Sequence, residues 1–249
     1  MITDPWFYLA AVPAVLITGM SKGGFGGIAL LAVPLLALTI SPVQAAGIML
    51  PILLVMDAQG VREYRGTYDK RNLLILIPGA ILGILAGGLT AQFINDDLIR
   101  LFVGTIAILF AVHFFVKGRF AAAVKNPNAA PGVILGMCSG FTSFLAHAGG
   151  PTFQLYMLPQ KLDRRTYAGT AIIFFAVVNF IKLVPYSILG MLAPGNLLTS
   201  LVLIPLAIVG VKLGVWANKK LSNEIFYKTI YTAIFLVGLM LYGQVLGRS

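Results

Sequence analysis

The sequence predicts an all-α protein that crosses a membrane several times. Of its 249 residues, 59% are hydrophobic and 10% are charged, and the mean hydropathy is +0.92. A soluble domain carries about 25% charged residues, so this chain lacks the polar surface of a soluble fold. Apolar runs fill almost the whole length. Because a backbone in lipid must satisfy its own hydrogen bonds, the predicted spans are helices.

Ten apolar segments follow one another along the chain. They cover residues 5–20, 26–40, 43–61, 72–93, 97–116, 131–146, 150–158, 166–189, 196–216 and 223–245. A helix needs about 20 residues to cross the hydrocarbon core. The third, fourth, fifth, eighth, ninth and tenth segments meet that length, whereas the first, second, sixth and seventh are short. The short ones form two adjacent pairs, so we expect broken or re-entrant helices at segments 1–2 and 6–7.

The basic residues predict the orientation. Most of the 18 lysines and arginines fall in the connections between odd- and even-numbered segments. These residues are Lys22, Arg62, Arg65, Lys70, Arg71, Lys117, Arg119, Lys125, Lys161, Arg164, Arg165, Lys219, Lys220 and Lys228. By the positive-inside rule, these loops are cytoplasmic and both termini lie outside. The net charge of +10 then reflects topology and not a nucleic-acid partner. No basic residue precedes Lys22, so we expect no cleaved signal peptide.

The two halves of the chain repeat one another. At one constant spacing, Ala46-Gly47 recurs as Ala168-Gly169, Asp57 as Asn179, and Tyr64 as Tyr186. After an insertion near residues 189–195, a slightly longer spacing matches Pro78, Gly83 and Gly87 to Pro205, Gly210 and Gly214. Each half has five segments, an odd number, so the second repeat is expected to be inverted. The predicted division is residues 1–120, a linker at 121–130, and residues 131–249, within one transmembrane domain.

Glycines in segments 4 and 9 also predict close helix packing. Their small-residue spacing lets two helix backbones approach each other in a membrane. The residues concerned are Gly79, Gly83, Gly87, Gly210 and Gly214.

Two glycine-rich breaks, one in each half, are the predicted binding site. The first break supplies Lys22, Gly23, Gly24, Gly26 and Gly27. The second break and the residues after it supply Ser143, His147, Gly149, Gly150, Thr152 and Gln154. A helix that starts after such a break presents free N–H groups and the positive end of its dipole, which together bind anions. We therefore expect a single anion site near the bilayer midplane, although the glycines could also serve only as tight turns.

Four side chains are candidates for charge or proton chemistry at this site. Asn179 and Lys182 lie three residues apart on one face of segment 8. A lysine inside an apolar run is functional by default, unless it snorkels to an interface. His147 could donate to the anion, carry a coupling proton because histidine titrates near neutral pH, or have a structural role. Asp57 is a candidate for coupling or gating, or could pair with arginines of the loop 62–71.

Several other chemistries lack their sequence signals. There is no G-x-x-x-x-G-K-[ST] phosphate loop. The two histidines, His113 and His147, and the only cysteine, Cys138, are too far apart for a sequence-local metal motif. We therefore predict no metal, no cofactor and no enzymatic activity.

The first glycine break and its surroundings also carry a family resemblance. The residues are Gly19-Met-Ser-Lys-Gly-Gly-Phe-Gly-Gly27, the Pro34-Leu-Leu run, Ser41-Pro-Val-Gln-Ala-Ala-Gly47 and Pro78-Gly-Ala-Ile-Leu-Gly83. With these, the chain resembles the sulfite exporter TauE/SafE family, also called the toluene sulfonate uptake permease family, over about residues 8–245. The resemblance implies a secondary carrier in the bacterial inner membrane for small sulfur-containing anions such as sulfite, sulfonates and sulfoacetate.

The chain departs from the family pattern at two places. Lys22 stands where the first cluster more often has small or apolar residues, and the second cluster adds His147 and Pro151. The extra positive charge would suit a carboxylated anion, which is one alternative substrate. A passive anion channel is the alternative mechanism. The expected partners are a small anionic solute and membrane lipid. Coupling to a proton or another ion, and a homodimer, are left open.

Overall fold

The computed structural model describes residues 1–23, 28–117, 127–220 and 223–247, and it shows an all-helical protein with no strand in those ranges. The helices are α1 (Pro5–Lys22), α2 (Ala32–Leu36), α3 (Pro42–Glu63), α4 (Lys70–Thr90), α5 (Asp96–Lys117), α6 (Ala129–Ala146), α7 (Gly150–Met157), α8 (Arg164–Ile188), α9 (Pro194–Lys220) and α10 (Asn223–Leu246). Short 3₁₀ turns lie at Ile28–Leu31, Ala91–Phe93 and Leu158–Gln160. Each of the ten predicted segments therefore corresponds to one helix.

Five of these helices are long and apolar enough to cross a membrane, judged on the described residues. They are Pro42–Glu63, Lys70–Thr90, Ala129–Ala146, Arg165–Ile188 and Pro194–Gly214. The prediction that the sixth segment is short was wrong. Helix α6 has 18 residues because it begins at Ala129, where the Asn128 side chain accepts a hydrogen bond from the Ala130 N–H at 3.2 Å. Helices α2 and α7 are short, with five and eight residues.

Local sequence explains where several helices begin. Ser41, Asp69 and Asp163 precede α3, α4 and α8, and each side chain accepts a hydrogen bond from a backbone N–H of the first turn. Such capping satisfies donors that have no partner inside the helix. Hydrogen bonds from Thr166 and then Arg165 hold the pKa of the exposed Asp163 carboxyl below its usual value. Asp163 therefore remains a charged cap at neutral pH.

Helix α3 lies at the centre of the bundle. In the part of α3 that could span a membrane, 56% of the residues are buried, against 33–44% in the other four candidate spans. Helix α3 packs against α8 and α9, α4 packs along α6, α1 along α9, and α5 along α10. A polar residue on the inner face of α3 is therefore surrounded by protein on several sides.

Glycines bring α4 to α6 and α1 to α9, as predicted for segments 4 and 9. A methyl group on Gly83 would overlap the carbonyl oxygen of Met137, and one on Gly140 would overlap that of Ala80. At Gly210 it would lie 2.9 Å from the carbonyl oxygen of Leu16. The prediction that these glycines form packing surfaces is confirmed, because their neighbours are rigid backbone atoms.

The connections after α3 and α8 have the same design. Each contains a glycine in the left-handed region, Gly66 with φ 76° and Gly190 with φ 69°. In each connection, the residue directly after this glycine places its carbonyl oxygen against a glycine in the other half of the chain. Those contacts join Thr67 to Gly169 and Met191 to Gly47. Since Gly47 and Gly169 were matched by sequence, the two halves use equivalent positions for equivalent contacts.

Candidate functional site

Asp57 is the carboxylate at the centre of the candidate site. It lies on α3 and is 2% exposed. Its Oδ1 accepts a charge-assisted hydrogen bond from the Lys22 ammonium at the end of α1. Its Oδ2 accepts a 2.6 Å hydrogen bond from Nδ2 of Asn179 on α8. Asp57 therefore pairs with Lys22 at the end of α1 and Asn179 on α8, and not with arginines of the loop 62–71.

Lys182 forms a second polar group one helical turn from Asn179. The residue is fully buried, so it does not snorkel to an interface. Its Nζ donates to the Ser143 carbonyl at 3.0 Å and to the Ser143 hydroxyl at 3.1 Å, and it lies 2.7 Å from Nδ1 of His147. An ammonium has three N–H donors, and these three acceptors use all of them. Lys182 is also close enough to interact electrostatically with Asp57 and Lys22.

His147 connects this second group to α3. Its Nε2 lies 3.0 Å from the carbonyl oxygen of Ala46. A carbonyl only accepts, so Nε2 carries the proton and Nδ1 accepts from Lys182. His147 also ends α6 in the left-handed conformation, with φ 53°. A non-glycine residue in that region is uncommon. The ring contacts with Ala46 and Lys182 hold His147 in this conformation, and the neutral tautomer with its proton on Nε2 satisfies both partners.

The start of α7 lies beside the same group. The Gly149 carbonyl accepts hydrogen bonds from the hydroxyls of Ser139 at 2.8 Å and Thr152 at 3.1 Å. A methyl group on Gly149 would lie 3.1 Å from Cβ of Ser143, so this break contacts the Lys182 group directly. At Gly150, in contrast, no atom of the described residues lies within 4 Å of the Cβ position. Among the described residues, the first turn of α7 is therefore closely packed at Gly149 and uncrowded at Gly150.

The structure thus brings together candidates from both halves of the chain. Lys22 and Asn179 both bond Asp57, while Lys182 bonds His147 and Ser143, which adjoins Gly149. Gly23 directly follows Lys22, and its N–H donates to the Gly19 carbonyl at 2.9 Å. Gln154 is half-buried on the first turn of α7. Three candidates of the first break, Gly24, Gly26 and Gly27, lie outside the described residues.

Sequence reasoning missed some functional contacts in this region. Phe175 lies with its ring centre 5.6 Å from the Lys22 ammonium, within cation–π range. The carbonyls of Ala46 and Ser143 accept from His147 and Lys182. A phenylalanine in an apolar run does not stand out in the sequence. A backbone carbonyl belongs to every residue, so the sequence does not show which carbonyl accepts a hydrogen bond. The repeated Ala46-Gly47 pair was the only available hint.

Tyr186 shows how a structural role can be separated from a binding role. Its hydroxyl donates to the Phe144 carbonyl at 2.5 Å, and the residue is fully buried on α8. We expect Tyr186→Phe to destabilise the protein by about 1 kcal/mol through loss of one hydrogen bond, with anion affinity unchanged. Thermal unfolding in detergent, with and without anion, would measure both quantities. A large loss of affinity would instead place the hydroxyl in the binding site.

Comparison with known families matches most of the chain to one family. The family model described as sulfite exporter TauE/SafE matches residues 11–241. The chain belongs to the TauE/SafE family. The matched range includes Lys22, Asp57, His147, Asn179 and Lys182. No curated protein and no solved structure matches the chain. Membership in the TauE/SafE family indicates a membrane transporter of sulfur-containing anions.

Proposed function

We propose that this protein is a secondary transporter that moves a small sulfur-containing anion across the bacterial inner membrane by alternating access. The substrate would be sulfite, a sulfonate or a compound of the sulfoacetate type. The observation that carries this proposal is the buried ion pair of Lys22 with Asp57, in which Lys22 stays partly exposed beside the first glycine break. A cation at membrane depth is costly without a partner, and Lys22 could exchange the Asp57 carboxylate for a substrate anion.

The anion would bind between Lys22 and the first turn of α7. Lys22 supplies the positive charge, and the open space at Gly150 supplies room. The free N–H groups of the first helical turn and the Gln154 side chain supply donors, and the Thr152 hydroxyl would join them by turning away from the Gly149 carbonyl. Gly23, Gly24, Gly26 and Gly27 would let the backbone approach the anion from the first break. Ser143, His147 and Lys182 form hydrogen bonds with one another, so they would hold the residues around the anion in position.

An inverted repeat is the architecture that fits the helix packing. In an inverted repeat, α1 of the first half corresponds to α6 of the second half, and α4 corresponds to α9. The packing of α1 against α9 therefore corresponds to the packing of α6 against α4. Both of these pairs are in contact. Asp57 and Asn179, matched by sequence, bond each other. In the proposed repeat, these two residues would lie next to the axis that relates residues 1–120 to residues 131–249. Helices α2 and α7 are the broken or re-entrant elements of this arrangement.

The bodies that move in alternating access would be mixed between the halves. Gly83 and Gly140 join α4 to α6, and Gly210 joins α9 to α1, through contacts with rigid backbone. Sliding one whole half against the other would break both of these interfaces. We therefore assign α1, α2 and α9 to one body and α4, α6 and α7 to the other. Helices α3 and α8 meet between them and carry Asp57 and Asn179.

The orientation proposed from the basic loops has both termini outside and the odd-to-even connections in the cytoplasm. The ion pair of Lys22 with Asp57 supports a place for Lys22 within the bundle instead of in such a loop. No catalytic role, metal or cofactor is proposed for any residue. Asp57 and His147 are the two candidates for coupling to a proton or another ion.

A thermal-shift screen of the purified protein in detergent tests the proposed substrate class. The panel is sulfite, thiosulfate, ethanesulfonate, sulfoacetate, sulfate and matched carboxylates such as propionate. A ligand of the folded state stabilises it by about 2.7 kcal/mol at a hundredfold excess over Kd. We expect a shift with sulfur anions and none with the carboxylates.

Uptake into proteoliposomes then separates the mechanisms. A carrier shows saturable uptake and exchanges internal for external anion, whereas a channel conducts far faster and gives an electrical current. A shift with carboxylates alone would contradict the sulfur assignment but keep anion transport. Absence of both binding and uptake for every anion would overturn the proposal as a whole.

A further inference from the structure

We infer that Asp57 couples anion transport to proton transport, taking up one proton each time an anion replaces it on Lys22. The inference rests on the proposed transport of anions and adds the co-transported species and the residue that carries it. Its starting point is that the carboxylate of Asp57 already occupies the position on Lys22 that a substrate anion would need.

Lys22 is the only lysine of the described site whose ammonium can meet a substrate. The three N–H donors of Lys182 are used by Ser143 and His147. Lys22 retains 13% exposure of its side chain and stands next to Gly23 at the first break. Among the described residues, its hydrogen-bond partner is Asp57. An incoming anion therefore competes with Asp57 for Lys22.

Two anions beside one ammonium in an apolar interior repel each other strongly, because the effective dielectric constant is low. A carboxylate displaced from its cation and buried without a partner is also costly. A proton taken from water onto Oδ1 of Asp57 removes both costs. With the monoanion bound, charged Lys22, protonated Asp57 and the anion together carry no net charge. Charged Lys22 and ionised Asp57 in a water-filled site also carry no net charge. No other bond forms or breaks.

Asn179 suits both protonation states of Asp57. Its Nδ2 already donates to Oδ2 at 2.6 Å. A neutral carboxylic acid and a primary amide can form two reciprocal hydrogen bonds, since the acid O–H donates to the amide oxygen while the amide N–H donates to the acid carbonyl. Protonated Asp57 can therefore leave Lys22 and stay fully bonded to Asn179. A second carboxylate at position 179 would repel Asp57, and an apolar residue would leave the acid unpaired.

The other charged groups around α3 do not fit the carrier role. Lys182, from α8, interacts electrostatically with Asp57 but stays bonded to Ser143 and His147. His147 is unsuited because a second proton would have to sit on Nδ1, facing the ammonium of Lys182 at 2.7 Å. Lys212, from α9, is exposed on the outside of the bundle. Helices α2 and α6 contain no Asp, Glu, Lys, Arg or His.

The test uses the full-length protein in proteoliposomes with ethanesulfonate as the probe, because this anion does not titrate near neutral pH. Downhill entry of ethanesulfonate should acidify the lumen by one proton per anion, measured with an internal pH-sensitive dye. A pH difference of one unit, acidic outside, should drive about a tenfold accumulation. Because the pair carries no net charge, a membrane potential set with valinomycin should not change the uptake rate.

Asp57→Asn mimics the protonated side chain permanently. In this variant the ratio of protons to ethanesulfonate should fall from one to zero, accumulation against a pH gradient should be lost, and uptake should become sensitive to membrane potential. His147→Gln tests the alternative carrier: its uptake can be slower, but each ethanesulfonate that enters should still bring one proton. If Asp57→Asn does not fold or does not exchange anion, a ratio of one that persists in His147→Gln supports Asp57, and a wild-type ratio of zero or a loss of the ratio in His147→Gln overturns the inference.

The outcomes separate this inference from the proposed function. Ethanesulfonate uptake by the wild-type protein without proton movement would overturn the inference and leave anion transport standing. Loss of proton movement in His147→Gln, but not in Asp57→Asn, would assign the proton to His147 and overturn the role of Asp57. If the wild-type protein transports no ethanesulfonate, the proposed sulfonate carrier fails first, and the inference fails with it.

Discussion

Replacement of Lys22 by methionine is expected to abolish anion binding and to destabilise the folded protein by about 3–5 kcal/mol. The destabilisation arises because Asp57, 2% exposed, would either stay charged without its cation or have to take up a proton, and breaking one side of a buried ion pair costs about that much. Loss of binding arises because the variant removes the only cation of the site that is free to meet the substrate. Unfolding in detergent measures the first effect, and the ligand-dependent thermal shift measures the second.

The double variant Lys22→Met with Asp57→Asn separates the two effects. Replacing both members of a buried pair by neutral residues is often close to neutral in stability. We therefore expect the double variant to recover wild-type stability within about 1 kcal/mol while anion binding remains absent. Recovery of binding in the double variant would remove Lys22 from the substrate site. A single Lys22→Met variant as stable as the wild type would show that Asp57 does not depend on this ion pair.

Replacement of Gly140 by alanine should cause a large loss of stability although it is a conservative change outside the site. The added methyl group would overlap the carbonyl oxygen of Ala80 and lie 2.7 Å from its Cα. Both neighbours are backbone of α4, which cannot rotate away as a side chain could. Overpacking typically costs about 1–3 kcal/mol, and the free energy of unfolding in detergent should fall by at least this amount.

Gly243→Ala is the matched control for that experiment. Gly243 is also a helical glycine, on α10, but no atom of the described residues lies within 4 Å of its Cβ position. The same chemical change should therefore leave the free energy of unfolding nearly unchanged. Equal effects of the two substitutions would mean that α4 and α6 can separate by the width of a methyl group at no cost. That result would also contradict the proposal that α4 and α6 move as one body.

The helices themselves were largely predictable from the sequence. Hydrophobic runs, their charged ends and the glycine breaks predicted ten segments, and each is present as a helix. The regular spacing of Gly79, Gly83 and Gly87 predicted close packing, and the structure confirmed it. These features depend on neighbouring residues, so local sequence contains them. The bounds of α6 were the main error, because the cap at Asn128 lies outside the hydrophobic run that defined the segment.

The partners of the charged side chains were decided by the tertiary structure alone. From the sequence, Asp57 could either have a coupling role or pair with arginines of the following loop. In the fold it bonds Lys22 and Asn179. Lys182 was predicted to contact the substrate, but in the fold its donors are occupied by Ser143 and His147. Hydrophobicity is a property of each residue, so apolar segments can be recognised from the sequence alone. Which charge meets which depends on how helices from both halves pack, and that is fixed only when they assemble.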